Sequence, residues 1–298
     1  MGVKRDESGM RESHVTVVIP CFNAEKFIRE AMESVFSQTH KDWDLIVIDD
    51  GSTDSSLQVV AELSASRAGQ VQVLSGPNRG ACHARNLGIQ KAQGEFVALL
   101  DADDVWSSPK IEKQVQFLNN NPSVIGVTTG YVLWGSARSK ETIFRDFHWT
   151  RRELSRWAML GSSAPALNST LLVRREALLN VGGFDVALVS FAEDLDLAWR
   201  LSDSGTVKSI GAVMTTVRLS DNQIHRDTVA MLAAMKIFHN KIESLEPSLV
   251  RRARRNVSIY GALRGSMRGN RWAGSHLILK IILKHPVDFV RFIWSRHL

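Results

Sequence analysis

Cysteine is nearly missing from this chain: Cys21 and Cys82 are the two among 298 residues. Two thiols cannot make the disulfide framework of a small secreted domain. They fit a reducing compartment, each as a small core residue rather than a nucleophile. No uninterrupted apolar run approaches the roughly 20 residues that a spanning helix needs. Residues Met1 to His14 are polar and charged without an apolar h-region, so they read as a frayed tail and not as a secretory signal. The glycine-rich phosphate signatures are also absent. The first apolar segment runs into Cys21-Phe22-Asn23-Ala24-Glu25 where a dinucleotide fold would place Gly-x-Gly-x-x-Gly, and no Gly-x-x-x-x-Gly-Lys occurs. There is no internal repeat and no low-complexity segment.

What is present is an ordinary globular composition, 44% apolar and 23% charged. The length allows one large domain, or one domain with an appendage. Charge is unevenly placed. Met231 to Leu298 carries 13 Lys and Arg against 3 Asp and Glu, a net of +10 in a chain of net +6, which leaves the front acidic. An acidic front suits metal binding, and a basic back suits a phosphate-rich or membrane surface.

Strand-like and helix-like patterns alternate through the front half. Val15 to Ile19, Leu45 to Ile48, Val71 to Leu74 and Phe96 to Leu100 are short apolar, β-rich runs. Between them, Phe27 to Phe36 has helical spacing with Asn23 as an expected cap, and Leu57, Val60 and Leu63 share a face behind Ser52 or Thr53. Gly80 to Ala92 is a third helix, and Ser108-Pro109 opens a fourth with Ile111, Val115 and Leu118 inward. This order predicts a parallel sheet covered by helices on both faces. Beyond it come a strand at Val124 to Thr129, an irregular stretch from Tyr131 to Leu160, and a strand at Ser169 to Val173. A helix from Arg175 stops at Gly182-Gly183, and Glu193-Asp194 opens a helix through Ser202.

Phe96 to Leu100 ends abruptly in Asp101-Ala102-Asp103-Asp104. Alternation on a strand puts Asp101 and Asp103 on one side and Ala102 and Asp104 on the other. Two carboxylates at the carboxyl end of a buried strand can hold a hard divalent cation, at the edge where open α/β sheets bind ligands. Alone, so short a motif is more often an acidic turn. Here it is matched by Asp49-Asp50 at the end of the second strand and by Asp194 in the first turn of a later helix.

The sequence resembles the family-2 glycosyltransferases. The resemblance rests on Val17-Val18-Ile19-Pro20-Cys21-Phe22-Asn23, Ser34-Val35-Phe36-Ser37-Gln38-Thr39 and Ile46-Val47-Ile48-Asp49-Asp50-Gly51-Ser52-Thr53-Asp54. It continues through Asn78-Arg79-Gly80, Ala84-Arg85-Asn86 with Gly88, and Leu100-Asp101-Ala102-Asp103-Asp104, to Gly182-Gly183-Phe184-Asp185 and Glu193-Asp194-Leu195-Asp196-Leu197. It implies a GT-A fold: a mixed, mostly parallel sheet flanked by helices, with a Rossmann-like nucleotide-binding half and a C-terminal helical extension. The expected division is a flexible tail at 1–14, a GT-A domain at 15–225 (nucleotide half 15–122, acceptor half 123–225) and a basic helical extension at 226–298. The implied activity is inverting transfer of a sugar from a nucleotide diphosphate sugar, with a UDP-sugar first in expectation. The implied acceptor is a hydroxyl of a glycan or lipid-linked sugar in cell-surface polysaccharide synthesis.

The resemblance also implies roles. Pro20, Phe22, Asn23, Asp49, Asp50, Arg85, Asp101 and Ala102 line the donor site, and either Asp49 or Asp50 holds the base. Asp103 is the principal ligand of a manganese or magnesium ion, with Asp101 and, past the last expected strand, His225. Asp194 is the catalytic base, and Phe184, Asp185 and Glu193 face the acceptor. Each residue has a plainer reading. Asp49 and Asp50 suit a turn before Gly51, Asp194 complements a helix dipole, Arg85 suits a solvated helix, Asp196 is a structural acid and Gly182-Gly183 is a helix stop. Trp134, Trp149 and Trp157 suit packing or stacking on an acceptor sugar.

Leu277, Ile278, Ile281 and Ile282, then Phe289, Phe292, Ile293 and Trp294, form an apolar stripe flanked by Lys280, Lys284, Arg291 and Arg296. It can lie on an anionic membrane or pack back on the domain. The expected setting is the cytoplasm, with peripheral contact at the inner membrane face. No nucleic-acid motif is present. Two other readings are a sugar nucleotidyltransferase, which the missing glycines after the first strand oppose, and a non-catalytic sugar- or nucleotide-binding relative, which the retained acidic motifs oppose.

Overall fold

The computed structural model describes residues 11–134, 141–142, 154, 168–188, 192–218, 228–243, 246–248, 250–251 and 254. In chain order the elements are β1 (Arg11–Cys21), α1 (Ile28–Phe36), β2 (Trp43–Asp49), α2 (Ser56–Ala65), β3 (Val71–Ser75), α3 (Ala81–Lys91) and β4 (Gly94–Leu99). There follow β5 (Val105–Trp106), α4 (Lys110–Asn120), β6 (Val124–Trp134), β7 (Glu141–Thr142), a 3-10 turn at Asn168–Thr170, β8 (Leu172–Arg174) and α5 (Arg175–Asn180). The last are α6 (Glu193–Ser204), β9 (Thr206–Arg218) and α7 (Thr228–Ile242).

The strands join one mixed sheet in the order β3-β2-β1-β4-β8-β6-β9-β5, with β7 on β6. Its first four strands are parallel, as the alternating pattern predicts: Val17 pairs with Leu45 on one side and Ala98 on the other. Strand β8 runs antiparallel to both β4 and β6, whereas β6 and β9 pair in parallel. Both faces of the central strands are dry, because their middles are almost wholly apolar, Thr16 apart. Val17, Ile19, Leu45, Val47 and Ala98 pack with Ile28, Met32, Ile111 and Leu118 of α1 and α4. Val18, Ile46, Val97 and Leu99 pack on the other face with α3, α6 and α7.

Several local expectations shift. Strand β1 begins at Arg11, so His14, assigned to the tail, is buried, with its ring between Asp42 (2.7 Å) and Asp44 (3.0 Å). Asn23 does not cap α1. It has a left-handed backbone, φ +49°, and its side-chain oxygen accepts from the Thr53 amide. Ser52 and Thr53 do not cap α2, which starts at Ser56; Asp54 Oδ1 accepts from the Ser56 amide instead. Leu57 is exposed, and Val59 turns inward in its place beside Val60 and Leu63. The strand expected at Ser169 is a 3-10 turn through Thr170, and β8 starts only at Leu172. Strand β9 was not expected: its Ser, Thr, Gly and Lys content hides the alternation. The apolar C-terminal stripe at 277–296 lies outside the described residues. The described part of the extension packs on the domain through Ala234, Met235, Phe238 and Ile242.

Candidate active site

Parallel pairing sets the site. Cys21 is in register with Asp49, and Val18 with Leu99, so β1, β2 and β4 present their carboxyl ends at one edge. The loops leaving β1 and β2 are stitched together there. The amides of Asn23, Ala24 and Glu25 donate to the side chains of Ser52, Ser56 and Asp54, at 3.0, 2.7 and 3.1 Å. Phe22 stands at this rim half exposed.

Asp49 and Asp50 are both buried. Asp49 accepts from the Ser52 amide (3.3 Å) and the Ser75 hydroxyl (2.9 Å). Asp50 accepts from the amides of Arg79 and Gly80, both at 2.8 Å, which shapes the loop into α3. Gly51 follows in a left-handed conformation (φ +79°), where a Cβ would sit 2.8 Å from the Asn78 amide nitrogen. The hydrogen bonds of this pair are those of turn residues, the plainer reading, at the carboxyl end of β2.

Asp101 to Asp104 form a turn beyond β4 rather than more strand, closed by the Asp104 amide donating to the Asp101 carbonyl at 3.1 Å. The expected division survives through the turn: Asp101 and Asp103 are partly exposed, and Ala102 and Asp104 are buried. Sequence reasoning missed the support beneath. The Ser169 hydroxyl donates to Asp104 and accepts from the Asp101 amide. The Arg218 amide donates to Asp104 (3.0 Å) and its Nε to the Asp103 carbonyl (3.1 Å), while its guanidinium lies 4.4 Å from the Trp134 ring centroid. Burial, then Asp101 and Asp103, push the Asp104 carboxyl well above the ordinary range. Trp134 itself is 51% exposed.

Arg85 is not the solvated residue of the plainer reading. It is buried on α3, with Nη2 at 2.6 Å from Asp101 and Nη1 at 3.8 Å from Glu193. Burial would weaken the charged guanidinium, but Asp101 and Glu193 outweigh it and hold the charge. Among the described residues, Nε and Nη1 have no hydrogen-bond partner. Arg85 thus joins the turn after β4 to the start of α6. Ala192 enters that helix with φ +66°, and Asp194 follows, buried, with Oδ1 accepting from the Leu195 amide at 2.7 Å. Burial, then the charge of Glu193, push Asp194 well above the usual carboxylate range. Tyr131 of β6 is pushed up to about 12 by burial and then by the Asp194 charge, so its phenol lies within electrostatic reach. Asp196 is the structural acid expected, paired with Arg200 and Lys241.

Two of the residues expected at the acceptor have partners within the fold. Phe184 is core, its ring 5.3 Å from the Arg85 guanidinium, and Asp185 is paired with Lys241 at 2.8 Å. Gly182 and Gly183 do end α5, at φ +77° and +67°. His225, Trp149 and Trp157 lie outside the described residues. Among the described residues no three metal-ligating side chains gather into a cage. Two partly exposed carboxylates in one turn still fit a magnesium or manganese ion shared with ligand phosphates, which takes one or two carboxylates from the protein.

Residues 16–181 match the family model described as Glycosyl transferase family 2. The match covers more than half of the chain, which belongs to that family. Among curated relatives, the putative teichuronic acid biosynthesis glycosyltransferase TuaG of Bacillus subtilis is 36% identical over 119 residues, 40% of this chain and 47% of TuaG. The Escherichia coli UDP-Glc:alpha-D-GlcNAc-diphosphoundecaprenol beta-1,3-glucosyltransferase WfgD is 38% identical over 108 residues, 36% of this chain and 42% of WfgD. The chain thus spans less than half the length of these relatives. Two solved structures share the fold at 18% identity. S. aureus TarS with UDP-GlcNAc has a TM-score of 0.64 over 94% of this chain and 79% of that one. Mannosyltransferase PcManGT from Pyrobaculum calidifontis, with GDP-Man and Mn2+, has 0.59 over 95% and 87%. The mixed sheet with flanking helices is the GT-A fold of these glycosyltransferases.

Proposed function

We propose that this protein is an inverting, metal-dependent glycosyltransferase that moves a sugar from a UDP-sugar to a hydroxyl of a glycan or lipid-linked acceptor. The observation that carries the reading is the Arg85 bridge. One buried guanidinium reaches the Asp101 turn and the Glu193-Asp194 helix start, elements far apart in sequence, at the carboxyl edge of the parallel strands.

In this reading Pro20, Phe22, Asn23, Asp49 and Asp50 form the donor-side rim, with Phe22 offering a ring face to the base. Asp101 and Asp103 hold a manganese or magnesium ion, which supplies Lewis-acid neutralisation of the diphosphate leaving group. Asp194 takes the proton from the attacking hydroxyl as the new bond forms. Its dry, acid-flanked setting makes it a stronger base than an exposed aspartate once ionised. Single displacement needs base and leaving group on opposite faces of the sugar, as in inverting glycoside hydrolysis. That suits a base on α6, separate from the turn after β4. The names of WfgD and TuaG support a cell-surface glycan as the product context. Among the described residues no helix is long and apolar enough to cross a membrane.

The test is a panel of UDP- and GDP-sugars with manganese, read by thermal stabilisation and by release of nucleotide. The expected result is one UDP-sugar that both stabilises and turns over, with both effects lost on chelation. Stabilisation by no nucleotide sugar would overturn the reading.

A further inference from the structure

Cys82, Arg85 and Asn86 stand at i, i+3 and i+4 on α3, so they share one helix face. All three grip the segment that leads to Asp194. The Cys82 thiol donates to the Leu188 carbonyl, and Arg85 reaches Glu193. Asn86 makes the tightest grip. Its Nδ2 donates to the Phe184 carbonyl at 2.8 Å, and its Oδ1 accepts from the Phe184 amide at 2.7 Å. One side-chain amide thus closes a ring with the N–H and C=O of one residue, 98 positions away. The backbone is shaped for it. Gly182 and Gly183 are both left-handed, and a Cβ on Gly183 would lie 2.3 Å from Asn86 Oδ1. The three nearest atoms to that Cβ all belong to Asn86. The Phe184 ring, on the clamped residue, lies against the Arg85 guanidinium.

We propose that Asn86 is a positioning residue: its amide clamp on the backbone of Phe184 sets where Asp194 stands relative to the donor site. The inference rests on the reading of Asp194 as the base. Arg85 and Asn86 are consecutive, so the residue that pairs with Asp101 and the residue that anchors the route to α6 move as one body. Removing the Asn86 amide loosens the segment after α5 from α3, while Arg200 still holds the Val181 and Gly183 carbonyls and the turn after β4 keeps its own bonds. A displacement of about 1 Å at a reacting group costs up to about a hundredfold in rate.

The experiment compares the full chain with Asn86→Ala, Gly183→Ala and the double variant. The probes are UDP with manganese for affinity, and the UDP-sugar turned over in the panel for rate. Asn86→Ala should keep UDP affinity within about twofold and lose about ten- to a hundredfold in kcat. The Phe184 amide should exchange faster with solvent in that variant, with β1 and β4 amides unchanged. Gly183→Ala drives a methyl into the clamp and should lose kcat as well, and the double variant should be no slower than the worse single variant, because both changes break one contact. Wild-type kcat in Asn86→Ala, an equal loss of UDP affinity, or multiplying losses in the double variant would each overturn the positioning role. Asp194→Asn is run in parallel. Full turnover there overturns the base assignment and this inference with it, whereas an inactive Asp194→Asn beside an unaffected Asn86→Ala overturns the clamp alone.

Discussion

Strands β2 and β4 flank β1 and both lead into aspartates, and the fold puts the two sets to different uses. All four carboxylate oxygens of Asp49 and Asp50 accept from protein groups: two amides of the loop into α3, one amide of their own turn and one serine hydroxyl. These carboxylates build loops. After β4, Asp104 is buried and takes Ser169 and Arg218. Asp101 and Asp103 are partly exposed, with Asp101 balanced by Arg85. A similar division recurs on α6. Asp194 and Asp196 are both buried, but Asp196 is held by Arg200 and Lys241, whereas the residue beside Asp194 is an acid. Within each acidic motif after β4 and on α6, one carboxylate is tied into the frame by partners and another is proposed to serve the reaction.

The largest test of that contrast is Asp194→Asn. It should lower turnover by at least about a hundredfold, the worth of a positioned base, with UDP affinity unchanged by calorimetry. Asp196→Asn should fail differently, losing stability rather than the chemical step. Next come Asp50→Ala and Asp103→Ala. The first strips two buried amides of a charged acceptor and should cost about 3 kcal/mol in denaturant unfolding. The second should cost under about 1 kcal/mol, yet abolish manganese-dependent nucleotide binding. If Asp50→Ala proved as stable as wild type, or Asp103→Ala bound UDP and manganese normally, the two strand ends would not differ as described.

Much of this was legible in the sequence, for a physical reason. Strands buried on both faces must be apolar throughout, so β1, β2 and β4 stand out, and the helices between them keep a clean apolar spacing. Residues of the cleft lie just past those strands and share their legibility. What stayed hidden depends on contacts across the fold. Strand β9 is amphiphilic and carries Gly211 with a positive φ, so no period shows. Ser169, Arg218 and Asn86 act through backbone groups 68 to 115 residues distant, and nothing in their neighbours in sequence marks them. Asn86 had one signal, its place beside Arg85 in the Ala84-Arg85-Asn86 match. The caps were misplaced because Asn23, Ser52 and Asp54 serve the facing loop as well as their own chain.

The far edge of the sheet offers a smaller test, away from the cleft. His14 sits between Asp42 and Asp44 at the amino ends of β1 and β2. Burial alone would lower its pKa, but the hydrogen bonds and charges of Asp44 and Asp42 outweigh that and raise it above the usual 6.5. The folded chain therefore binds this proton more tightly than the unfolded one. The stabilisation is complete below about pH 6.5 and is lost as pH rises through the folded-state value. Denaturant midpoints should fall across that window in the wild type and stay flat in His14→Gln. Turnover per folded molecule should not change, since His14 lies at the opposite end of the strands from Asp49 and Asp101.

The smallest expected effect separates the extension from the frame it leans on. Lys241 of α7 bridges Asp185 (2.8 Å) and Asp196, joining the extension to the helix of the proposed base. It is a third exposed, so its ion pairs are partly screened by water. Asp196 keeps Arg200 when Lys241 is removed. Lys241→Met should therefore cost only about 1 kcal/mol, because Ala234, Met235, Phe238 and Ile242 continue to hold α7 in the core. Raising the salt concentration should shrink the difference between wild type and variant, as for any partly exposed ion pair. A loss several times larger, unaffected by salt, would mean that α7 is held by this lysine rather than by its apolar face.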